Sequence, residues 1–166
     1  PTYCRINRVF RDIHPHHIVT GMNRLNFRQM VHAHMEREGL SCRCIRCREV
    51  KGSYRVEDAL TLKSVNYITG VSREEFLTFE TSEKKIAAFL RLSLPHIGSL
   101  TPYLEELEGA ALVREVHVYG PARALKSPQG EGGEAMAQHQ GLGAKLLREA
   151  EERASRAGYS HLAIIA

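Results

Sequence analysis

Hydrophobic positions in the first third of the chain repeat at helical spacing. In residues 26–38 they fall at i, i+3, i+4, i+7 and i+8, the pattern of a helix with one buried stripe. Asn26 with Gln29 predicts a capping box at its start, and Gly39 predicts its end. The histidine on this stripe is expected to be buried and hydrogen-bonded. The predicted stripe consists of Phe27, Met30, Val31, His34 and Met35.

From residue 60 onward the spacing becomes that of strands. Residues 60–69, 76–80 and 86–94 predict three consecutive antiparallel strands separated by polar turns. Residues 104–108 are typical of a short helix. By contrast, residues 3–13, with arginine at every third position, predict either a short amphipathic helix or an irregular segment.

A fourth strand, residues 112–119, is followed by a helix and a last, buried strand at residues 161–166. The helix begins after the pattern Gln-x-x-Gly-x-Gly at residues 138–143 and ends at Gly158. One face of the fourth strand is predicted to carry Val113, Glu115, His117 and Tyr119, and the other Leu112, Arg114, Val116 and Val118. The predicted inward positions of the helix are Leu142, Leu146, Leu147, Ala150 and Ala154, with Glu149 and Arg153 paired outward.

The glycine pattern at the strand-to-helix junction is suited to binding a diphosphate. Glycine removes side chains, so consecutive N–H groups can converge on an anion at the positive end of the helix dipole. A turn that simply starts a helix gives the same pattern, so the pattern alone leaves both interpretations open. Residues 120–137, rich in glycine and proline, predict either a mobile flap over this anion site or a segment without function.

Composition places the chain among soluble globular proteins. It has 166 residues, 43% of them hydrophobic and 25% charged. No apolar run approaches the roughly 20 residues of a membrane span, and no signal peptide opens the sequence. We therefore expect a cytoplasmic protein without membrane contact. The first residue is Pro1 rather than methionine, which indicates a piece of a longer chain.

Charge is distributed unevenly. Residues 1–52 carry ten arginine or lysine residues against four acidic ones, a net of +6, whereas the remainder carries 13 against 15, a net of −2. Nine of the ten basic residues are arginine, whose planar guanidinium suits phosphate and stacks on bases. The basic part therefore predicts a nucleic-acid partner, with a solvated basic face as the alternative.

Three cysteines lie within six residues. Cys42, Cys44 and Cys47 form a C-x-C-x-x-C pattern whose thiols lie close enough to share one ion, and zinc takes four such ligands. Crowded cysteines without export signals favour a metal site over disulfides, and an iron–sulfur cluster is the alternative metal group. Cys4 is the first candidate for the fourth ligand because its sulfur matches the others. The alternative candidates are His14, His16, His17 and His34.

Taken together, these motifs resemble a known family. Strand, glycine loop, helix and strand after an antiparallel meander resemble the acetyl-CoA-binding core of the GNAT acetyltransferases. More specifically, residues 42–50, 114–120 and 138–143 resemble the Elongator catalytic subunits in their bacterial or archaeal form. Residues 11–13 and 26–30 resemble the same family. The resemblance implies an α/β (α+β) fold with a mixed sheet and flanking helices.

The resemblance also implies a domain organisation. Residues 1–52 would be a basic linker with a zinc site, and residues 53–166 an acetyltransferase domain that lacks the last part of its fold. The family fuses this domain to a radical-SAM domain with S-adenosylmethionine and an iron–sulfur cluster. The C-x-x-x-C-x-x-C signature of that cluster is not in this sequence. That domain is therefore expected to precede residue 1, and a tyrosine-rich segment near the thioester to follow residue 166.

By resemblance, the function is modification of the wobble uridine of tRNA. Acetyl-CoA would supply a carboxymethyl-type group at carbon 5, with Glu115 or His117 acting on a proton. The pantetheine arm would pair with the strand backbone at Glu115, Val116, His117 and Val118. The diphosphate would meet the amides of Gln140, Gly141, Leu142, Gly143 and Ala144. The tRNA anticodon region would contact Arg5, Arg8, Arg11, Arg24, Arg28, Arg43 and Arg46.

Two other functions fit the same residues. The fold could transfer acetyl groups to protein lysines, as many GNAT proteins do. Alternatively, the chain is a zinc-stabilised RNA-binding module in which the glycine loop binds nothing. Stimulation of acetyl-CoA turnover by tRNA separates the three possibilities, since it is expected for the tRNA-modifying enzyme alone.

Overall fold

A computed structural model shows two compact units, Pro1–Arg48 and Glu49–Ala166. The predicted boundary, after residue 52, falls close to this division. The structure describes residues 1–7, 14–21, 24, 26–51, 54–55, 59–99, 104–120, 134–135 and 141–164.

Two helices organise the first unit. Helix α1, Phe27–Arg37, confirms the predicted helix, and Gly39 ends it with a positive φ of 69°. Asn26 makes no side-chain capping bond, so the predicted capping box is wrong. His34 is exposed, so its predicted burial is also wrong. Helix α2, Ile45–Arg48, is a single turn that begins inside the cysteine cluster.

Around these helices the first unit is irregular. Pro15–His17 form one turn of 3-10 helix. Residues 1–7 hold a turn without a helix or strand, and the rest of the predicted amphipathic segment, residues 8–13, lies outside the described residues.

A five-stranded mixed sheet forms the second unit, as predicted. Its strands lie in the order β2-β3-β4-β5-β7, antiparallel except that β5 and β7 are parallel. The near-continuous apolar sequence of β4 explains its central place, because both of its faces are buried. The strands are β2, Thr61–Ile68; β3, Ser72–Glu80; β4, Ile86–Pro95; β5, Ala110–Val118; and β7, His161–Ile164. A separate two-stranded ribbon pairs β1, Tyr54–Arg55, with β6, Glu134–Ala135.

Two predicted elements differ from the observed ones. The predicted helix at residues 104–108 is one turn of 3-10 helix, Glu105–Leu107. The predicted buried strand at residues 161–166 is β7, whose residues are half-buried or exposed. Of the predicted flap, residues 121–133 and 136–137 lie outside the described residues.

Helix α3, Leu142–Arg156, connects β5 to β7 and packs on the sheet. Its buried residues are Leu142, Leu146, Ala150 and Ala154, which confirms the predicted inward face except that Leu147 is half-buried. The helix is strongly amphipathic and, like the other helices of the described residues, is too short or too polar to cross a membrane.

Arg153 links α3 to the sheet through hydrogen bonds and an ion pair. It bonds Glu149 at 2.6 Å, as the i, i+4 spacing predicts, but it does not point outward. Its Nη1 also lies 2.8 Å from Glu75 Oε2 on β3 and 3.2 Å from Ser64 Oγ on β2. Burial lowers the pKa of Arg153, but hydrogen bonds to Glu75 and Glu149 raise it above its ordinary value. The side chain therefore carries its charge into the interface between helix and sheet.

We expect Arg153→Ala to lower the free energy of unfolding by about 2 kcal/mol, because the buried Glu75 carboxylate loses a hydrogen-bond partner and keeps a poorer one. The remaining partner is Arg73 at 3.4 Å. Urea denaturation measures the loss. Arg156→Ala, on an exposed side chain of the same helix, is the control, and an equal loss in both variants would contradict a specific role for Arg153.

Candidate functional site

Within the described residues, the edge of β5 on the side of β7 is open beyond Val113. β4 pairs with β5 as far as Val118, whereas β7 pairs with it from Ala110 to Val113. In the part of the chain that the structure describes, no strand pairs with β5 on the β7 side beyond Val113. Backbone N–H and C=O groups at such an edge can pair with an extended ligand.

A β-bulge lies in β5 where its pairing with β4 changes register. Arg91 pairs with Glu115 and Leu92 with Val113, so Arg114 is an extra residue between the two pairs. A bulge bends the strand and increases its twist. It also interrupts the alternation of faces, so Val113 and Glu115 lie on opposite faces. The predicted alternation of this strand is therefore wrong across the bulge.

Arg114 helps to explain why the bulge occurs there. Its Nη1 lies 3.1 Å from Glu74 Oε2, and Glu74 is only 2% exposed. The Glu74 carboxylate also accepts hydrogen bonds from the hydroxyls of Ser72, at 2.7 Å, and Ser93, at 2.6 Å. A buried carboxylate needs such partners. Arg114 thus lies on the face of Glu115, not on the opposite face as predicted.

The first turn of α3 lies beside the open edge. Gly141 precedes the helix with φ of 63°, a left-handed conformation that favours glycine. A Cβ on Gly143 would lie 3.6 Å from Cγ2 of Val118, so the helix approaches the end of β5 closely. The first turn contains no acidic residue, and within the described residues no side chain caps it. Its amides are suited to an anion.

These two features form one candidate cleft. The residues predicted to bind acetyl-CoA fall on them, from Glu115 to Val118 on the edge strand and from Gly141 to Ala144 at the helix start. Gln140 lies outside the described residues. An open backbone edge beside a helix N-terminus can hold a ligand that combines an amide-containing arm with a diphosphate.

Glu115 and His117 occupy the same face of β5, as predicted. Glu115 Oε2 accepts a hydrogen bond from Arg91 Nε at 2.9 Å. The exposed His117 ring stacks on Phe89, with centroids 5.7 Å apart, and meets Tyr119 edge to face at 4.5 Å. Glu115 is therefore fixed by an ion pair, whereas the imidazole of His117 is held by rings and faces outward.

Cys42, Cys44 and Cys47 lie near one another in the first unit, beside His32, which was not among the predicted ligands. We call these four residues the thiol cluster. Ligand atoms of His32, Cys42 and Cys47 all lie within 4.8 Å of one another, and Cys47 Sγ is 3.7 Å from His32 Nε2. Cys44 is not one of these three, but its thiol is near enough to those of Cys42 and Cys47 for them to lower its pKa. Together they provide three sulfurs and one imidazole.

The predicted fourth ligand, Cys4, lies outside this group of ligand atoms. Its side chain is exposed, and its carbonyl accepts a hydrogen bond from the Ile45 N–H at 2.9 Å. The alternatives, His14, His16, His17 and His34, are exposed and also lie outside the group. The i, i+4 spacing of Arg28 and His32, which places both on one face of α1, was the signal available in the sequence.

Burial and hydrogen bonds shift the pKa values of two thiols in opposite directions. Burial raises the pKa of Cys44, but hydrogen bonds from the N–H groups of Ile6 and Cys47, and then from the neighbouring thiols, lower it to about 6. Burial and the proximity of Cys44 and Cys42 raise the pKa of Cys47 to about 11. Thiols that compete for protons in this way are typical of a site where a cation replaces the protons.

Zinc fits this donor set. Tetrahedral zinc with bonds of about 2.3 Å to sulfur holds its ligands ~3.8 Å apart, close to the 3.7 Å between Cys47 Sγ and His32 Nε2. Four protein ligands leave no open position for water or substrate, so zinc here would serve structure rather than catalysis.

The arginines predicted to bind RNA differ in their surroundings. Arg5, Arg24 and Arg43 are exposed. Arg46 is also exposed, but its Nη1 donates to the Asn7 carbonyl at 3.0 Å. Arg28 is half-buried against the thiols. The other two predicted residues, Arg8 and Arg11, lie outside the described residues.

The architecture defines an α/β protein of a class already represented among solved structures. The chain matches the archaeal Methanocaldococcus infernus Elp3 with an N-terminal deletion, with a TM-score of 0.77 and 36% identity over 95% of this chain and 37% of that chain. No family model matches the sequence.

Curated relatives make the assignment more specific. The chain is 42% identical to a tRNA uridine(34) acetyltransferase of Dehalococcoides mccartyi over 91% of its length, and 37% identical to one of Methanocaldococcus infernus. It is 34% identical to Elongator complex protein 3 of Danio rerio over 99% of its length. It spans about a third of each relative, 32%, 28% and 30%. Over that third, the chain is a homologue of proteins named tRNA uridine(34) acetyltransferase and Elongator complex protein 3.

Proposed function

We propose that this chain is the acetyl-CoA-binding part of an acyltransferase that modifies uridine 34 of tRNA. The observation that carries the proposal is the open edge of β5 beside the first turn of α3. The names of the relatives support the tRNA substrate. The product would be a carboxymethyl-type group at carbon 5, with the acetyl group as its carbon source.

In this proposal the cleft orients the acetyl donor. The pantetheine arm pairs with β5 from Glu115 to Val118, and the amides from Gly141 to Ala144 hold the diphosphate. Since Glu115 is tied to Arg91, His117 is the better candidate to accept or donate a proton. A radical-SAM domain in the same longer chain, with S-adenosylmethionine and an iron–sulfur cluster, is the proposed partner for the carbon–carbon bond.

We also propose that zinc binds to His32, Cys42, Cys44 and Cys47. The short distances among the ligand atoms of His32, Cys42 and Cys47 support this site, and Cys44 is proposed as the fourth ligand because its pKa responds to the thiols of Cys42 and Cys47. The ion would order a unit whose helix α1 contains no buried residue and which therefore has little hydrophobic core of its own.

The tRNA anticodon region would bind the basic first unit. Replacing the exposed Arg5, Arg24 and Arg43 with alanine is expected to weaken tRNA binding. It should also reduce the salt dependence of binding, by about one unit of slope for each phosphate that is no longer neutralised. Filter binding at several salt concentrations measures both effects, and the affinity for acetyl-CoA should stay unchanged.

A matched control removes three exposed positive charges from the second unit. Equal weakening of tRNA binding in both triple variants would show a nonspecific charge effect and contradict the assigned surface. The control residues are Lys63, Arg148 and Arg156.

Turnover of acetyl-CoA with and without tRNA tests the function. In the full-length protein we expect tRNA with uridine at position 34 to stimulate acetyl-CoA consumption, and tRNA lacking that uridine to do so less. Stimulation by a lysine-containing protein instead would favour a lysine acetyltransferase. Binding of tRNA without acetyl-CoA binding would favour an RNA-binding module.

A further inference from the structure

Arg28 joins three segments of the first unit. It lies on α1, and its Nη2 is 3.4 Å from Cys47 Sγ and 4.0 Å from Cys44 Sγ. Its other terminal nitrogen, Nη1, donates to the Ile6 carbonyl at 2.9 Å. One guanidinium therefore contacts the thiol cluster and the N-terminal segment at the same time.

The N-terminal segment depends on such contacts. Residues 4–7 contain no helix or strand. The Cys4 carbonyl accepts from the Ile45 N–H at 2.9 Å, and the Asn7 carbonyl accepts from Arg46 at 3.0 Å. Arg28 of α1 bonds the Ile6 carbonyl, and Ile45 and Arg46 of α2 bond the carbonyls of Cys4 and Asn7. The segment is therefore held by these two helices.

Charge explains why an arginine suits this position. Three thiolates and a neutral imidazole around a divalent ion carry a net charge of −1, which a guanidinium beside the sulfurs neutralises. Its planar fork directs separate N–H groups to a sulfur and a carbonyl, whereas the ammonium of lysine is a point charge on a flexible stem. Residues that hydrogen-bond to metal ligands also orient them and strengthen metal binding.

We infer that Arg28 is a positioning residue that links the metal–thiolate cluster to residues 4–7, so that metal binding orders the N-terminal segment. This inference rests on the proposed metal site. It differs from the RNA-binding role predicted for Arg28 from the sequence, because the half-buried guanidinium directs N–H groups to a sulfur and a carbonyl. Arg28 therefore differs from Arg5, Arg24 and Arg43, whose side chains are exposed.

Two measurements on Arg28→Gln test the inference. We expect metal transfer to a chromophoric chelator to become about ten-fold faster. Hydrogen exchange at the Ile45 amide, which bonds the Cys4 carbonyl, should also accelerate. Arg28→Lys should recover much of the metal retention through its charge but not the protection of Ile45, since it lacks the fork. Exchange in β4 of the second unit provides an internal check that the fold is intact.

Arg43→Gln is the matched control. It removes the same charge between Cys42 and Cys44 from an exposed side chain, and should leave metal release and Ile45 exchange close to wild type. Bound metal with wild-type release and exchange in Arg28→Gln would overturn the role of Arg28 while leaving the metal site intact. A wild-type protein that holds no metal would overturn both.

Discussion

Replacing Gly141 with glutamate is expected to weaken acetyl-CoA binding by at least ~100-fold. A negative side chain would stand where the first-turn amides are proposed to meet a diphosphate. Loss of a charge-assisted hydrogen bond costs about 1.5–3 kcal/mol, and each 1.4 kcal/mol is about ten-fold in affinity. Repulsion between the carboxylate and the phosphates adds to this loss. Calorimetric titration with acetyl-CoA measures the change.

Gly158→Glu is a close control for this variant. Gly141 and Gly158 flank the same helix, both have positive φ, at 63° and 90°, and an added Cβ at either meets no atom within 4 Å. The two substitutions therefore add the same charge and a similar backbone strain of about 1–2 kcal/mol. Comparable affinity for acetyl-CoA in both variants would show that the start of α3 does not hold the diphosphate.

Removing one ligand from the thiol cluster is expected to abolish stoichiometric metal binding. Cys47→Ser and His32→Ala should each reduce bound zinc from about one per chain to near zero, because closed four-ligand sites lose most of their affinity with one ligand missing. Structural zinc contributes about 10–16 kcal/mol of binding free energy in small domains. The first unit should therefore lose much of its order. Elemental analysis and hydrogen exchange measure the two effects.

Two further substitutions distinguish the observed ligands from the predicted ones. Cys4→Ser changes the ligand favoured by sequence, and His34→Ala changes the other histidine on α1. Both residues are exposed and lie outside the group of ligand atoms, so both variants should keep their metal. Loss of metal from Cys4→Ser with retention in His32→Ala would reverse our assignment.

The regular elements could be predicted because each depends on its own local pattern. Short apolar or alternating runs between polar turns identified β2 to β5, and the amphipathic repeat with Gly158 at its end identified α3. The ends of the elements were predicted less well than their middles. The start of β3, Ser72–Glu75, contains two glutamates that the sequence places outside the apolar pattern. They are buried because Arg114 and Arg153 reach them from other elements.

The bulge at Arg114 could not be predicted from β5 alone. It is defined by pairing with β4, and the alternation of β5 would otherwise continue unbroken. The bulge lies directly after Val113, the last residue of β5 that pairs with β7 in the described part of the chain. The residues of the candidate cleft were thus found by pattern, whereas the face on which Arg114 lies depends on a long-range ion pair with Glu74.

The fourth member of the thiol cluster was missed for a similar reason. His32 lies off the apolar stripe, whereas His34, two residues further along α1, lies on it. Because the stripe was interpreted as the buried face, the opposite face received no structural role. In the structure that face, with Arg28 and His32, meets the cysteines. The i, i+4 spacing of Arg28 and His32 places them on one face, but it does not show that the cysteines pack there.

A crystal structure of the protein with desulfo-coenzyme A bound tests the central claim most directly. We predict diphosphate oxygens at about 3 Å from the N–H groups of Leu142, Gly143 and Ala144, with the pantetheine arm along residues 115–118 of β5. Coenzyme bound elsewhere, with those amides bonded to other protein atoms, would contradict the account.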